Sequence, residues 1–437
     1  MNELCRRAGI RLITAVAFSC FGVSAAVAHS GGDPGPAPIV QWDQILQQNL
    51  VGSPFPQVRI YAMMHIAMAD AAVAIEGEFE PYDVRLWPIR GASSEAAVAQ
   101  AAHDVLVAQL PAGVASYDAA LQTTLAALPP GRRFLGIAIG KAAAASVLNW
   151  RKNDGIALAN PQPASYLASN LPGIWKQTAT GSAQFSEFGQ VLPFAVKTPT
   201  QFLPAPFPQL ESPEYAASLN EVKDIGRAVS VMRMPEQARS ASLWAGVGAF
   251  ANVTNPFRVW HNVARDLAVA KGLSLVETAR LFALLSVAIN DGLQTAHTSK
   301  FIYRLWRPET AIAGADRDDN PATVAEPGWA PLIPTPPYPS HASNMTCIGM
   351  AAARVLADLL GGDAQSFNAV WYTGASPPVP VHTQPFSSLH ALAMDEANSR
   401  IWGGVHFRFE IDAAEVSCTQ VGAYVYDHFM QPTRRPW

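Results

Sequence analysis

Residues 58–76 read VRIYAMMHIAMADAAVAIE, an alanine-rich apolar run with helical periodicity. Further runs of the same kind lie at 94–110 and at 134–150, where consecutive alanines suit close helix packing. Residues 155–212 break the pattern with Pro, Gly, Thr and Ser, and read as a long connection lying over the helices. Helical segments are expected again at 213–225, 235–250, 274–306, 343–360, 387–400 and 406–429, with Pro308 and Gly361-Gly362 marking ends. A Pro-rich loop spans 315–339 and another loop spans 373–385. Strand-like alternation is scarce, so the expected class is all-α, helical bundles joined by long Pro-rich loops. The expected layout is a signal peptide (1–28), a linker (29–41), an N-terminal helical part (42–250) and a C-terminal bundle (251–437). Two helical halves around 155–212 suggest an old duplication.

The chain has 437 residues, 49% hydrophobic and 15% charged, which is ample for a large core. Net charge is −4 with scattered Lys and Arg, so no global field favours nucleic acid. Arg6, Arg7 and Arg11, a short apolar stretch over 12–23 and Ala26-Val27-Ala28 read as an export signal. Periplasmic or secreted location is therefore expected, with no later stretch expected to span a bilayer. The mature chain keeps Cys347 and Cys418, consistent with one disulfide or with two buried thiols. Many surface apolar residues on such bundles make a homodimer a further expectation.

Three short segments carry chemistry. In Lys300-Phe-Ile-Tyr-Arg-Leu-Trp-Arg307-Pro308, seven steps of about 100° return Arg307 to nearly the helix face of Lys300. Two cations there call for an anion between them, although a solvated basic face has the same pattern. Pro339-Ser340-His341-Ala342-Ser343 ends a stiff loop and opens a helix, whose N–H groups attract oxyanions. Ser343 can cap that helix and leave Ser340 free to donate. In Ser399-Arg400-Ile-Trp-Gly-Gly-Val-His406-Phe-Arg-Phe-Glu410, the glycine pair allows a sharp turn. Glu410, four residues after His406, can fix the imidazole tautomer through Nδ1 and leave Nε2 free, or the two can form a purely structural pair.

Taken together, Lys-x6-Arg-Pro, Pro-Ser and Ser-Arg-x5-His resemble the signature of the vanadium-dependent haloperoxidase and type 2 phosphatidic acid phosphatase superfamily. Asn290-Asp291 and the segment from Tyr61 through His65 to Asp70 are also similar to soluble bacterial haloperoxidase-like proteins. The resemblance implies a helical bundle with vanadate, or phosphate in the same place. Lys300, Arg307 and Arg400 would neutralise the oxyanion, Ser340 would donate to it, and His406 would be axial ligand or nucleophile. Hydrogen peroxide with halide, or a phosphate ester, would be the small-molecule substrates. A third reading is a non-catalytic oxyanion-binding protein. Two positions depart from the family pattern. His341 and Ala342 stand where Gly and the acid–base His belong, so His341 is the replacement acid–base candidate, with His297, His382 and His390 as others. Glu410 replaces the usual Asp.

Overall fold

The computed structural model describes residues 33–433, except 88, 90, 162–168, 179–182, 251–254 and 374–377; the export signal expected at 1–28 lies outside the described residues. The described residues form thirteen α-helices and one two-stranded sheet. The first half contributes α1 (Ala37–Asn49), α2 (Pro54–Glu76), α3 (Ser94–Gln109), α4 (Val114–Ala126) and α5 (Pro130–Trp150). Next come α6 (Pro213–Ile225), α7 (Pro235–Ala245), α8 (Pro256–Lys271), α9 (Leu275–Tyr303) and the short α10 (Pro308–Ala313). The last third has α11 (Asn344–Leu360), the antiparallel strands β1 (Phe367–Tyr372) and β2 (Pro380–Phe386), α12 (Leu389–Trp402) and α13 (Arg408–His428). The all-α expectation holds. The hairpin replaces the loop expected at 373–385, and α1 begins inside the stretch read as linker.

Helices α2 and α9 lie side by side at the centre, α2 packing on α3 and α5 and α9 on α11 and α13. Helix α2 is buried on nearly every face, with a mean hydropathy of 1.4 over a window long enough to cross a membrane. This corrects the expectation that no mature segment qualifies. The window is 94% buried inside the protein, so the helix is a core element.

The two central helices repeat a pattern. Residues 59–70 (RIYAMMHIAMAD) align with 280–291 (RLFALLSVAIND), sharing Arg, two Ala and the final Asp. Each Asp does the same work. Asp70 accepts the backbone N–H groups of Tyr82, Asp83 and Val84, and Asp291 those of Phe194, Ala195 and Val196. A buried carboxylate thus fixes the loop that crosses each helix, satisfying amides that would otherwise be lost in the interior. The long connection is held down further by Phe185, Phe188, Val191 and Phe194, all buried in the main core. Cys347 and Cys418 form a disulfide joining α11 to α13.

A second, smaller core contains Leu305, Trp306, Ile312, Ile401, Phe407 and Tyr215. Several of its members are direct chain neighbours of the chemical residues. Leu305 and Trp306 precede Arg307, Ile401 follows Arg400, and Phe407 follows His406. Burying such apolar side chains stabilises by roughly 1.5–3 kcal/mol each, which anchors the polar neighbours they carry.

A cationic cradle around His406

Lys300 lies in the last turn of α9, but that helix stops at Tyr303 and Arg304 turns left-handed, with φ 59°. The chain from 304 to 306 bonds sideways instead. Trp175 N donates to Arg304 O at 2.7 Å and Trp306 N to Gly173 O at 3.0 Å. Arg307 therefore caps α10 rather than riding two turns above Lys300. The shared-helix-face expectation is wrong in its geometry. The two cations meet because the long connection captures the chain and reverses it.

Lys300 Nζ donates to the Ser340 carbonyl at 2.7 Å and to the Ala342 carbonyl. Arg307 donates through Nε to Tyr338 O (3.0 Å) and through Nη1 to Val405 O (2.8 Å). The same Nη1 lies 3.1 Å from His406 Nε2, while Nη2 is buried without a partner. A guanidinium has only donors, so His406 Nε2 must be a bare acceptor and the ring proton sits on Nδ1. Nδ1 donates to Glu410 Oε2 at 2.6 Å. That oxygen also accepts Phe407 N (2.9 Å) and Ser340 Oγ (3.0 Å), whereas Oε1 is buried and unpartnered.

His406 precedes α13, which begins at Arg408, with Phe407 as its N-cap and Glu410 in its first turn. The expected tautomer control by Glu410 is present, but it spans a helix start rather than one helical turn. The positive end of the helix dipole favours a carboxylate there. Gly404 makes the preceding turn with φ 81°. A Cβ on it would collide with the Gly226 carbonyl and approach Pro331 Cβ at 2.9 Å, so the turn is fitted to its neighbours as well as to its dihedral. Val405 N closes the turn on Arg400 O at 3.0 Å.

Arg400 is on α12, one turn after the buried Glu396, and its Nε is buried without a partner. It keeps 6% exposure and His406 2%, while Lys300, Arg307 and Ser340 have none, so the cradle opens on the Arg400 side. Tyr338, which the motif reading did not single out, walls the cradle. Its ring faces Lys300 Nζ at 5.4 Å and the Arg307 guanidinium at 5.1 Å. An aromatic two residues before Ser340 was the available signal.

Burial, then Arg307, Lys300 and Arg400, hold His406 well below the usual imidazole range. Burial, and after it Arg307 and Arg400, also press Lys300 well down against the pull of Glu410. Burial pushes Glu410 up to about 7, opposed by Lys300 and Arg307. The site is thus over-supplied with positive charge in a low-dielectric setting, and an oxyanion would relieve it.

His341 does not face this cradle. Its Nε2 donates to Ala205 O at 2.7 Å, and its ring packs beside Phe207, Tyr303 and Phe409, with Nδ1 buried and unpartnered. Ser299 Oγ holds the backbone at the 341–342 peptide instead, accepting from Ala342 N (2.9 Å) while it donates to Ala296 O (2.7 Å) with His341 O 3.2 Å away. His297 is also committed, with Nε2 donating to Gln184 O and Phe185 O and Nδ1 accepting from Asn344. His390 is an exposed residue 3.9 Å from Glu415, and His382 stands on β2 against Trp371. Ser343 caps α11 through Thr346 N, as expected.

Residues 280–435 match the family described as the VCPO second helical-bundle domain. The fold is that of the vanadium haloperoxidases. A bacterial vanadium-dependent iodoperoxidase superposes with a TM-score of 0.77 at 21% identity, over 92% of this chain and 98% of that one. A bacterial vanadium-dependent chloroperoxidase, in its holo form, gives 0.65 at 18% identity, over 85% and 90%. In sequence, the chain is 25% identical over 252 residues to vanadium chloroperoxidase of Curvularia inaequalis, covering 46% of this chain. The match spans only 41% of that relative's length. All seven residues singled out for the haloperoxidase-like site lie within the matched segment 280–435.

Proposed function

We propose that the protein is a vanadate-dependent haloperoxidase, using hydrogen peroxide to oxidise halide. One observation carries this reading. His406 presents a bare Nε2 inside a ring of buried cations, where Arg307 Nη2 and Arg400 Nε have no partner of their own. That donor set fits a tetrahedral or trigonal-bipyramidal oxyanion, with fixed N–H groups around it and one imidazole nitrogen toward its centre. Lys300, Arg307, Ser340 and Arg400 would hold vanadate and His406 would ligate it. The group would supply Lewis acidity that activates peroxide toward halide.

The chain's own residues have separable tasks. Glu410 keeps the proton on Nδ1 so that Nε2 remains a lone pair. Arg307 Nη1, which now engages that lone pair, would turn to the oxyanion along with Nη2. Ser340 would rotate its hydroxyl away from Glu410 to donate to the bound oxygen. Tyr338 shields one side from water, which strengthens every electrostatic contact inside.

Phosphate-ester hydrolysis at the same histidine is the competing reading. It needs an acid for the leaving group, and His341 is turned to Ala205 instead. Halide oxidation by peroxide also takes up a proton, so the turned His341 weakens both readings, and the peroxidase reading is favoured by the likeness to bacterial vanadium haloperoxidases. Purified protein given vanadate, peroxide and bromide or iodide should halogenate a phenolic indicator. Hydrolysis of p-nitrophenyl phosphate, blocked by vanadate and without halogenation, would overturn the proposal. We also infer export to the periplasm or the medium, supported by the basic-apolar leader and by the Cys347–Cys418 disulfide.

A further inference from the structure

We propose that Asp43, His65 and His261 form a second, structural metal site, holding one zinc ion in the core between α1, α2 and α8. The three side chains offer ligand atoms that all lie within 4.8 Å of one another, and all three residues are buried. Asp43 Oδ1 stands 2.8 Å from His261 Nδ1 and 3.5 Å from His65 Nε2. Tetrahedral zinc with bonds of about 2.0–2.1 Å sets its ligands roughly 3.3 Å apart. The His65–Asp43 separation already fits, and the His261–Asp43 contact needs to open by about half an ångström.

Proton placement strengthens the case. Ser286 on α9 has one hydroxyl proton, which goes to Phe282 O at 2.7 Å. Its oxygen then accepts from His65 Nδ1 at 2.9 Å, with His261 Nε2 farther off at 3.4 Å. The His65 proton is thereby fixed on Nδ1 and its Nε2 lone pair faces Asp43 Oδ1 at 3.5 Å, whereas His261 Nδ1 donates to that oxygen at 2.8 Å and would release this proton on binding the ion. His65 Nε2 is buried with no hydrogen-bond partner. Lone pair against carboxylate is repulsive unless a cation lies between them. An outer acceptor that sets the tautomer of a ligating histidine, as Ser286 does for His65, is the usual outer-shell arrangement of such sites. Gln47 Nε2 steadies the carboxylate by donating to Asp43 Oδ2 at 2.8 Å.

The ligand set selects the ion. Two imidazoles and one carboxylate suit zinc better than calcium or magnesium, which take oxygen shells. Tyr61, one turn before His65 on α2, packs its ring against His261 at 4.2 Å between centroids and walls that side of the site. With no exposed ligand, the ion would enter during folding and resist removal from the native protein.

The test is elemental analysis of the full chain, unfolded with chelator and refolded in Zn²⁺ or in Co²⁺. The expected result is close to one zinc per folded chain after dialysis against EDTA, and visible d–d bands of tetrahedral cobalt in the Co²⁺ sample. His65→Gln and His261→Gln, near in volume to the native residues, should each lose the ion while keeping the helical circular dichroism. Ser286→Ala should weaken zinc binding about tenfold or more while leaving all three ligands in place. His406→Ala should keep the ion, since the two sites are separate. Folded wild-type protein with no stoichiometric metal would overturn the proposal and leave a metal-free His261–Asp43 ion pair. Zinc retained by folded His65→Gln would overturn it equally, by placing the ion elsewhere.

Discussion

His406 and His65 are both buried histidines with the proton fixed on Nδ1 and a bare Nε2, yet their surroundings are opposite in sign. Around His406 the lone pair meets Arg307, with Lys300 and Arg400 close enough to depress its proton affinity. Around His65 the lone pair meets the Asp43 carboxylate. The same imidazole state therefore calls for an anion in one place and a cation in the other. What decides the chemistry is the charge facing the free nitrogen, because in a low-dielectric interior an uncompensated charge is costly. His297 is the third case, with both nitrogens satisfied by Gln184, Phe185 and Asn344, and needs neither ion.

The sharpest break of this comparison is a double dissociation. His406→Ala should abolish vanadate-dependent halogenation and leave zinc content unchanged, whereas His65→Gln should remove zinc and leave vanadate affinity measurable wherever the fold survives. Loss of both ions in either variant would show that the sites are one coupled unit. Arg307→Ala comes next. It removes the donor facing His406 Nε2 and an unpartnered Nη2, so kcat/KM should fall about 10²–10³-fold, as measured with saturating vanadate. Arg307→Lys should recover little, because an ammonium cannot reproduce the guanidinium fork.

The satisfied histidine gives a pH test. Burial, then Lys300 and Arg307, push His297 down to about 3, below its unfolded value near 6.5. A group lowered in the folded state gives stability that is present above about 6.5 and lost as pH falls toward the folded value. From pH 6.5 to 4.5 it should cost roughly 2–3 kcal/mol, and His297→Gln should remove that slope from denaturant melts. An unchanged slope would mean that His297 titrates normally. The smallest expected effect is Gly404→Ala. Strain at φ 81° and the clash with Gly226 should cost about 2 kcal/mol and loosen vanadate binding without touching any cradle side chain.

The helices at 58–76, 94–110, 134–150 and 213–225 were legible because long apolar periodicity outweighs local detail. Helices α1, α4 and α8 and the hairpin were not singled out, since short or amphipathic segments compete poorly with surrounding Pro and Gly signals. In the cradle, Lys300, Arg307, Arg400, His406 and Glu410 were picked out by the ordered motifs that resemble the family signature, and the structure brings them together. Ser340 reaches the same place but spends its hydroxyl on Glu410. His341 was the weak member of the reading, and its side chain lies against Ala205.

By itself, the sequence determined the class of fold and the chemical inventory of the cradle, because apolar periodicity and motif spacing are properties of the chain. Only the tertiary structure decided where α9 stops, which nitrogen of His406 is bare, and that Asp43, His65 and His261 share one point in the core. Those outcomes depend on contacts across more than a hundred residues. Gly173 and Trp175 capture the chain at 304–306, and Ser286 on α9 fixes rings carried by α2 and α8. No local pattern encodes such pairings, because each is set by how separate helices settle against one another once their apolar faces are buried.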